Sequence, residues 1–286
     1  MNWALLMTAY LRPTTLSEAV ALLATTSPRL LAGGTDLYPG TQNANLAGPI
    51  LDLTGVPDLT GIQQTADGLQ IGACTTWADL AGAALPPALQ ALQQAASEVG
   101  GVQIQNAGTL GGNLCNASPA ADGVPPLLIV DARVTLVSTR GTRRLPLADF
   151  LTGPRQTARR PDEVLTAVTI PSAALVGQSC FLKLGARAYL VISIAMVAAR
   201  LETRNGRITA AAVSVGACSA TARRLLAVEA ALIGVTPEQG PSRVTEATVA
   251  AHLSPVDDLR ATAAYRLCAA TELLRRAVAH LAKASA

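Results

Sequence analysis

The chain has 286 residues, enough for two domains with a well-covered core, and a charged fraction of 14% that excludes disorder. Half of the residues are hydrophobic but only 3% are aromatic, so Ala, Leu, Val and Ile must build the core. The 22 basic and 19 acidic side chains give a net charge of +3 without a long Lys/Arg run, which argues against nucleic-acid binding. No apolar run reaches membrane-spanning length, and the opening "MNWALLMTAYLRPTT" is too short and interrupted for a signal segment. We therefore expect a cytoplasmic protein without a membrane partner.

The first half of the chain alternates helix and strand signals. "TTLSEAVALLA" predicts a helix with Thr15 and Glu18 as a capping box. "PRLLAGG" and "PILDLTG" predict strands, and hairpins are indicated at Asp67-Gly68 and Arg140-Gly141. Further helices are predicted from Thr76, from Pro86 to Glu98, and from Ser118 with Pro119 as its first residue.

The pattern changes after "DEVLTAVTIP", a strand that Pro171 ends. Strands are then expected at 179–184, 190–201 and 207–215, with a turn at Asn205-Gly206 between the last two. Helices follow at 221–233, at about 244–253 and from 258 to about 284. These signals predict an α+β protein whose domains span residues 1–175 and 178–286, the second built on a three-stranded sheet with helices packed on it.

Cysteines and histidines supply no obvious chemistry. The five cysteines are odd in number, widely spaced and free of C-x-x-C pairs, which argues against disulfides, zinc and iron–sulfur ligation. The two histidines, His252 and His280, both lie in the helical C-terminal region. We expect no catalytic side chain and no metal site, so any chemistry needs a bound cofactor.

Two glycine loops are the candidate binding elements. Leu30 to Leu37 reads "LLAGGTDL", and Thr109 to Asn113 reads "TLGGN" within "GTLGGNLCNASPAAD". Adjacent glycines permit positive φ and let main-chain N–H groups approach a phosphate. Two such loops can hold a pyrophosphate from both sides, although tight turns without a ligand remain an alternative. Neither loop is G-x-G-x-x-G or a Walker motif, which favours a dinucleotide bound outside a Rossmann fold.

These two stretches resemble the FAD-binding motifs in the flavoprotein medium subunit of molybdenum hydroxylases, the family of xanthine dehydrogenase and carbon monoxide dehydrogenase. "FLKLGARAYLVISIAMVAARLE" resembles the start of that family's C-terminal domain. The resemblance implies a two-part FAD-binding domain of the vanillyl-alcohol-oxidase (PCMH) type followed by a smaller flavoprotein domain. It also implies non-covalent FAD in this chain, with the molybdenum cofactor and [2Fe–2S] clusters only in partner subunits.

The resemblance assigns cofactor-binding positions residue by residue. The first loop, along the FAD pyrophosphate and ribityl chain, comprises Leu30, Leu31, Ala32, Gly33, Gly34, Thr35, Asp36 and Leu37. The second loop comprises Thr109, Leu110, Gly111, Gly112 and Asn113. Asp122 matches a carboxylate that binds the adenosine ribose, Leu165 an apolar residue beside the adenine or flavin, and Lys183 a lysine near the flavin ring.

Simpler interpretations of single residues stay open. Asp122 falls in the first turn of a predicted helix, where a carboxylate offsets the helix dipole without a ligand. Lys183 could be a strand-edge lysine. Gln105 stands where the family often has Arg, so a basic contact before the second loop is absent, and the contact made by Asp36 is open. The absence of an inserted cysteine cluster excludes the iron–sulfur-bearing form of this subunit.

The resemblance implies an electron-transfer subunit that takes electrons from a small [2Fe–2S] subunit, beside a large molybdopterin-binding subunit, and passes them from FAD to NAD⁺ or another acceptor. One alternative is a self-sufficient FAD oxidase or dehydrogenase of the vanillyl-alcohol-oxidase type, which the scarcity of His and Tyr disfavours. Another is a non-catalytic assembly protein whose glycine turns bind nothing.

Overall fold

The computed structural model describes residues 9–41, 46–188 and 190–284. Residues 1–8 of the opening segment lie outside these ranges, so the expectation that no signal segment occurs there stays a prediction. Among the residues described, no helix combines the length and the apolar character needed to cross a membrane.

The first described elements build a small parallel sheet that carries the first glycine loop. Its strands are β1 (Tyr10–Leu11), β2 (Arg29–Leu31) and β3 (Ile50–Asp52), in the order β1-β3-β2. Helix α1 (Leu16–Thr26) precedes β2 and begins as predicted, since the Glu18 amide donates to the Thr15 hydroxyl at 3.2 Å. The Glu18 carboxylate, however, accepts from the amide of Thr14, one residue before the cap. The first loop leaves the carboxyl end of β2.

A five-stranded antiparallel sheet and several short helices complete the N-terminal part. Its elements are β4 (Ile62–Thr65), β5 (Gly68–Gly72), α2 (Trp77–Gly82), α3 (Gln90–Glu98), α4 (Val102–Ala107), α5 (Leu110–Asn116), α6 (Val124–Leu128), β6 (Arg133–Ser138), β7 (Gly141–Pro146), α7 (Leu147–Phe150), β8 (Leu151–Gly153), β9 (Gln156–Thr157) and β10 (Val164–Pro171). The strand order is β4-β5-β10-β6-β7, while β8 and β9 pair separately. Both predicted hairpins and the helix from Thr76 are confirmed.

The helix predicted from Ser118 is wrong. Residues 118–123 form turns, in which the Ser118 hydroxyl accepts from the Ala120 amide at 3.2 Å, and α6 begins only at Val124. A helix that started at Pro119 could not continue through Pro125 and Pro126, which lack the N–H donors of its second turn. Those prolines instead occupy the first turn of α6, where no donor is needed.

The C-terminal part holds a four-stranded antiparallel sheet instead of the predicted three strands. Its elements are β11 (Gln178–Leu184), β12 (Ala195–Arg204), β13 (Arg207–Gly216), β14 (Arg223–Arg224), α8 (Leu226–Leu232), α9 (Gly240–Arg243), α10 (Glu246–Ala250) and α11 (Ala263–Ala284). The turn at Asn205-Gly206 is confirmed, with both residues at positive φ. Three of the predicted elements start later in the structure than in the prediction. The second strand starts five residues later, because residues 190–194 form a loop. The first helix starts after β14 (223–224), and the last helix starts after the irregular segment 258–262.

Strand β12 contributes side chains to two large hydrophobic clusters, one in each part of the chain. Met196 and Ala198 belong to the core of the N-terminal part, whereas Val197 and Leu201 belong to the core beneath α11. Because successive side chains of a strand point to opposite faces, both faces of β12 are buried. The two parts therefore share a packed interface.

Candidate functional site

A cleft of about 1490 Å³ brings the two glycine loops together. Residues 30–37 line one side, Thr109 and residues 111–113 line another, and residues 190–192 of the C-terminal part border it as well. This volume exceeds the several hundred Å³ that is usual for a small-ligand pocket. The cleft is therefore large enough for a dinucleotide.

The first loop presents main-chain donors. After Gly34, at φ +70°, the chain coils into a turn in which the Tyr38 amide donates to the Gly34 carbonyl at 3.0 Å. Within the described part of the chain, the amides of residues 33–37 have no hydrogen-bond acceptor. Several unpaired amides at the start of a helical turn form a concave set of donors that suits a phosphate.

The second loop differs, because four of its five amides already donate to groups of the protein. Leu110 donates to the Thr75 carbonyl at 3.0 Å and Gly111 to the Ala73 carbonyl at 2.8 Å. The Gly112 amide donates to the Thr109 hydroxyl at 3.1 Å, and the Asn113 amide to the Thr109 carbonyl at 3.0 Å. Among the described residues the Thr109 amide alone in this loop has no acceptor, so the expectation that the second loop also offers main-chain amides to a pyrophosphate stays a prediction, limited to that amide.

Protein contacts explain two of the glycines. A Cβ at Gly33 would overlap the carbonyl oxygen of Ala107, so the missing side chain lets the first loop contact the end of α4, just before the second loop. A Cβ at Gly111 would lie 2.8 Å from the carbonyl oxygen of Ala73. These glycines allow the walls of the cleft to close on each other, and neither contact involves a ligand.

Asn113 supplies the second loop's free polar group. Its side-chain oxygen Oδ1 is buried and has no hydrogen-bond partner among the described residues, while Asn113 itself lines the cleft. A buried polar atom without a partner costs free energy, which a ligand donor would recover. The residue type and position were predicted from the sequence, but the unpaired atom could not be.

Asp122 lies in the cleft wall and is held by the C-terminal part. It precedes α6 and lies outside its first turn, which removes the helix-dipole interpretation. Its Oδ2 is 2.6 Å from the Lys183 ammonium, and its Oδ1 accepts from the Ser193 hydroxyl at 2.8 Å. Burial raises the pKa of Asp122 above its ordinary value, and the adjacent Lys183 charge opposes that rise.

Lys183 and Leu110 do not line the cleft, in contrast to the other predicted site residues. The Lys183 side chain is 5% exposed, and its ammonium lies behind Asp122 and 3.4 Å from the Glu98 carbonyl oxygen. Lys183 does lie on β11, an edge strand of the C-terminal sheet, but its ammonium is a buried ion-pair partner and is not a charge exposed at that edge. Leu110 is fully buried. Leu165 is buried at the cleft, beside an irregularity in the pairing of β10 with β6.

Sequence reasoning missed further residues that line the cleft. They include Trp77, whose backbone amide donates to the Gly108 carbonyl at 3.1 Å, directly before the second loop, and Arg155, which contacts Asn116. Residues 190–192, in the loop before β12, also reach the cleft. Spacing gives no signal for such contacts, since they arise from tertiary structure.

Known families and structures match almost the whole chain. Residues 6–173 match the FAD binding domain in molybdopterin dehydrogenase, and residues 181–281 match the CO dehydrogenase flavoprotein C-terminal domain. The chain is 36% identical to the xanthine dehydrogenase FAD-binding subunit of Escherichia coli O157:H7, over 74% of this chain and 75% of that protein.

Two carbon monoxide dehydrogenases give comparisons of greater extent. The chain is 32% identical to the carbon monoxide dehydrogenase medium chain of Afipia carboxidovorans, over 94% of each protein. The structure of reconstituted CO dehydrogenase from Oligotropha carboxidovorans superposes with a TM-score of 0.88 at 29% identity, covering 97% of this chain and 98% of that one.

Proposed function

This chain belongs to the family of FAD-binding medium subunits of molybdenum hydroxylases, and we propose that it passes electrons from an iron–sulfur partner through FAD to NAD⁺ or another acceptor. The resemblance, the oxidoreductase class and the fold class expected from the sequence are thereby confirmed. Carbon monoxide dehydrogenase and xanthine dehydrogenase relatives carry the names medium chain and FAD-binding subunit, which supports assembly with a large molybdopterin-binding subunit and a small [2Fe–2S] subunit. We further propose a cytoplasmic location and domains at 1–175 and 178–286.

The proposal depends on one observation: unpaired main-chain amides and an unpaired side-chain oxygen face the same large cleft. Residues 33–37 offer unpaired amides, and Asn113 offers an unpaired Oδ1. The first set fits an anionic diphosphate, and the second fits a ligand hydroxyl or N–H. FAD contains all three groups, so the residues present fit the cofactor.

In this proposal the chain binds, orients and shields its cofactor. The first-loop amides would hold the diphosphate without a cation, Asn113 would fix a polar group of the cofactor, and Leu165 would supply an apolar surface. FAD, when bound, exchanges one or two electrons and so couples one-electron clusters to a two-electron acceptor.

The chemistry of the cleft favours electron transfer over a self-sufficient oxidase. The described residues that line it include no histidine and no tyrosine. Burial raises the pKa of the Cys115 thiol to about 11, so this thiol stays protonated at neutral pH and is a poor nucleophile. A substrate oxidase needs an acid or base near the flavin. The carboxylates that line the cleft are Asp36 and Asp122, and both oxygens of Asp122 are already held by Lys183 and Ser193.

Thermal melting of the full-length, flavin-free chain tests the proposed binding. A ligand at 100 times its Kd adds about 2.7 kcal/mol to the stability of the folded state, which raises Tm by roughly 4–5 °C in a chain of this size. FMN, which lacks the diphosphate bridge and adenosine, is the control and should give a clearly smaller shift. If FAD leaves Tm unchanged, the cleft does not bind it and the assembly-protein alternative gains support.

Flavin absorbance then tests the direction of electron flow. With its partner subunits and their substrate, the flavin of the complex should be reduced under anaerobic conditions. The isolated, FAD-loaded chain should not be reduced by the same substrate. Reduction of the isolated chain by a small organic substrate would instead support the self-sufficient oxidase.

A further inference from the structure

One wall of the cleft is a segment that the C-terminal part holds at both ends. We call residues 118–131 the wall segment; Ser118, Ala120, Ala121 and Asp122 in it line the cleft, and α6 lies at its centre. The segment belongs to the N-terminal part by sequence. Its polar side-chain contacts, however, run largely to residues beyond 180.

The end at the cleft is fixed by Lys183 and Ser193. The two oxygens of the Asp122 carboxylate take one contact each, from the Lys183 ammonium at 2.6 Å and from the Ser193 hydroxyl at 2.8 Å. A main-chain bond adds to these, since the Ala217 amide donates to the Pro119 carbonyl at 3.0 Å.

The far end is fixed by two arginines that cap α6. The Arg200 Nε donates to the Ile129 carbonyl at 3.0 Å, and Arg224 donates to the Leu128 carbonyl at 3.0 Å. Arg224 also pairs with the Asp131 carboxylate at 2.9 Å. The last carbonyls of a helix have no partner within it and attract cations, so these contacts stabilise the carboxyl end of α6.

Arg266 holds the C-terminal side of these contacts in place. This buried residue of α11 donates to the carbonyls of Ile194 at 2.6 Å and Ala217 at 2.9 Å. Ile194 follows Ser193, which bonds Asp122, and Ala217 itself bonds Pro119 of the wall segment. Its guanidinium is fixed in turn by Asp258, 2.7 Å away. Arg266 and Asp258 therefore stabilise the residues of the C-terminal part that contact the wall segment.

We propose that Arg200 is a positioning residue for the cofactor cleft, although it does not line the cleft. Its side chain is 9% exposed and fixes the carboxyl end of α6, while Asp122 precedes the amino end of the same five-residue helix. Packed interiors deform little, so a displacement at one end of so short a helix is passed to the other. This inference rests on the proposed function, because the effect expected is on FAD affinity.

The test compares Arg200→Met and Arg200→Lys with wild type in the full chain. The methionine removes the bonds to Ile129 and to the Val176 carbonyl, which Arg200 contacts at 2.9 Å. The lysine keeps the charge beside Glu202 but cannot reach all of these partners at once. FAD Kd is measured by flavin fluorescence at a temperature where each variant is fully folded, and amide hydrogen exchange is followed across the wall segment.

Arg200→Met should raise the FAD Kd by about tenfold, within the usual range for coupled sites, and Arg200→Lys by a smaller factor. Exchange should accelerate in the wall segment but not in the core of β13. The control is Arg275→Met, which removes an arginine-to-carbonyl bond, to Val244 at 2.9 Å, within the C-terminal part alone. It should leave both the Kd and wall-segment exchange unchanged.

An unchanged Kd for Arg200→Met overturns the proposal, whatever its Tm, since a purely structural arginine would lower stability and leave affinity intact. If that variant does not fold, Arg200→Lys makes the same test, and an unchanged Kd there has the same meaning. If the wild-type chain takes up no FAD, the proposed function fails. In that case amide hydrogen exchange alone tests Arg200: exchange in the wall segment that is no faster in Arg200→Met than in wild type overturns its role there.

Discussion

Replacing Lys183 by methionine should destabilise the protein through Asp122. The two side chains are 5% and 9% exposed, and their charged atoms are 2.6 Å apart. Removing one partner of a buried ion pair leaves an uncompensated charge and costs about 3–5 kcal/mol. For a chain of this size the loss corresponds to a fall in Tm of roughly 5–8 °C.

The loss should depend on pH with a defined sign. Burial raises the pKa of Asp122 in the folded state above its unfolded value, despite Lys183. The folded state therefore binds this proton more readily than the unfolded state, and stability falls as pH rises through the interval between the two pKa values. Without the Lys183 ammonium the pKa of Asp122 in the folded state rises further, so the pH interval over which stability falls extends to higher pH. The difference between Lys183→Met and wild type should be small near pH 4 and largest near pH 8.

Thermal melting of the flavin-free chain between pH 4 and pH 8 measures this difference. Lys283→Met is the control, because Lys283 is exposed in the last turn of α11 and should change stability by less than about 0.5 kcal/mol. The double variant Lys183→Met with Asp122→Asn should recover most of the lost stability, since no buried charge remains. A Lys183→Met variant as stable as wild type at pH 8, or one whose loss is the same at pH 4, would refute the reasoning.

Three further outcomes are expected. Gly33→Ala should lower both the Tm of the flavin-free chain and FAD affinity, because its Cβ overlaps the Ala107 carbonyl at the end of α4. Gly82→Ala, with open space around its Cβ, should change neither in melting and titration experiments. Asn113→Ala should raise the FAD Kd by about tenfold without lowering the Tm of the flavin-free chain, because its Oδ1 has no partner there to lose. Iodoacetamide at pH 7.5 should label the exposed Cys268 in the native chain and leave Cys115, whose pKa burial raises to about 11, unlabelled by mass spectrometry until denaturant is added.

Local signals predicted the elements that depend on local chemistry. The hairpins at Asp67-Gly68 and Arg140-Gly141 form where predicted, because the turn residues themselves determine the backbone conformation. The helix predicted from Ser118 failed because two prolines seven and eight residues further on prevent a helix capped there from continuing. Strand β14 was missed because a two-residue edge strand is recruited by its neighbour and has no periodicity of its own.

The site could be predicted in its residues but not in its bonding. Both glycine loops lie in the cleft, as the resemblance implied. Which amides stay free depends on carbonyl groups such as those of Ala73 and Thr75, more than 30 residues away in sequence. The pairing of Lys183 with Asp122 likewise joins residues 61 positions apart, and it changes the expected place of the lysine from the cleft to the support behind it.

Two loops with the same Gly-Gly core thus have different physical roles. In the first, unpaired amides point to direct contact with an anionic ligand. In the second, the bonded amides and the missing Cβ of Gly111 hold the start of α5 against the residues that follow β5. A substitution at Gly111 would therefore displace α5 before it affected any direct contact with a ligand. Loss of FAD binding after a change at Gly111 would therefore report a displaced wall, with a lower Tm of the flavin-free chain. A change at Asn113, which affects no bond of the side-chain oxygen in that chain, would report direct recognition. The ratio of affinity loss to stability loss at these two positions separates the two roles within one loop.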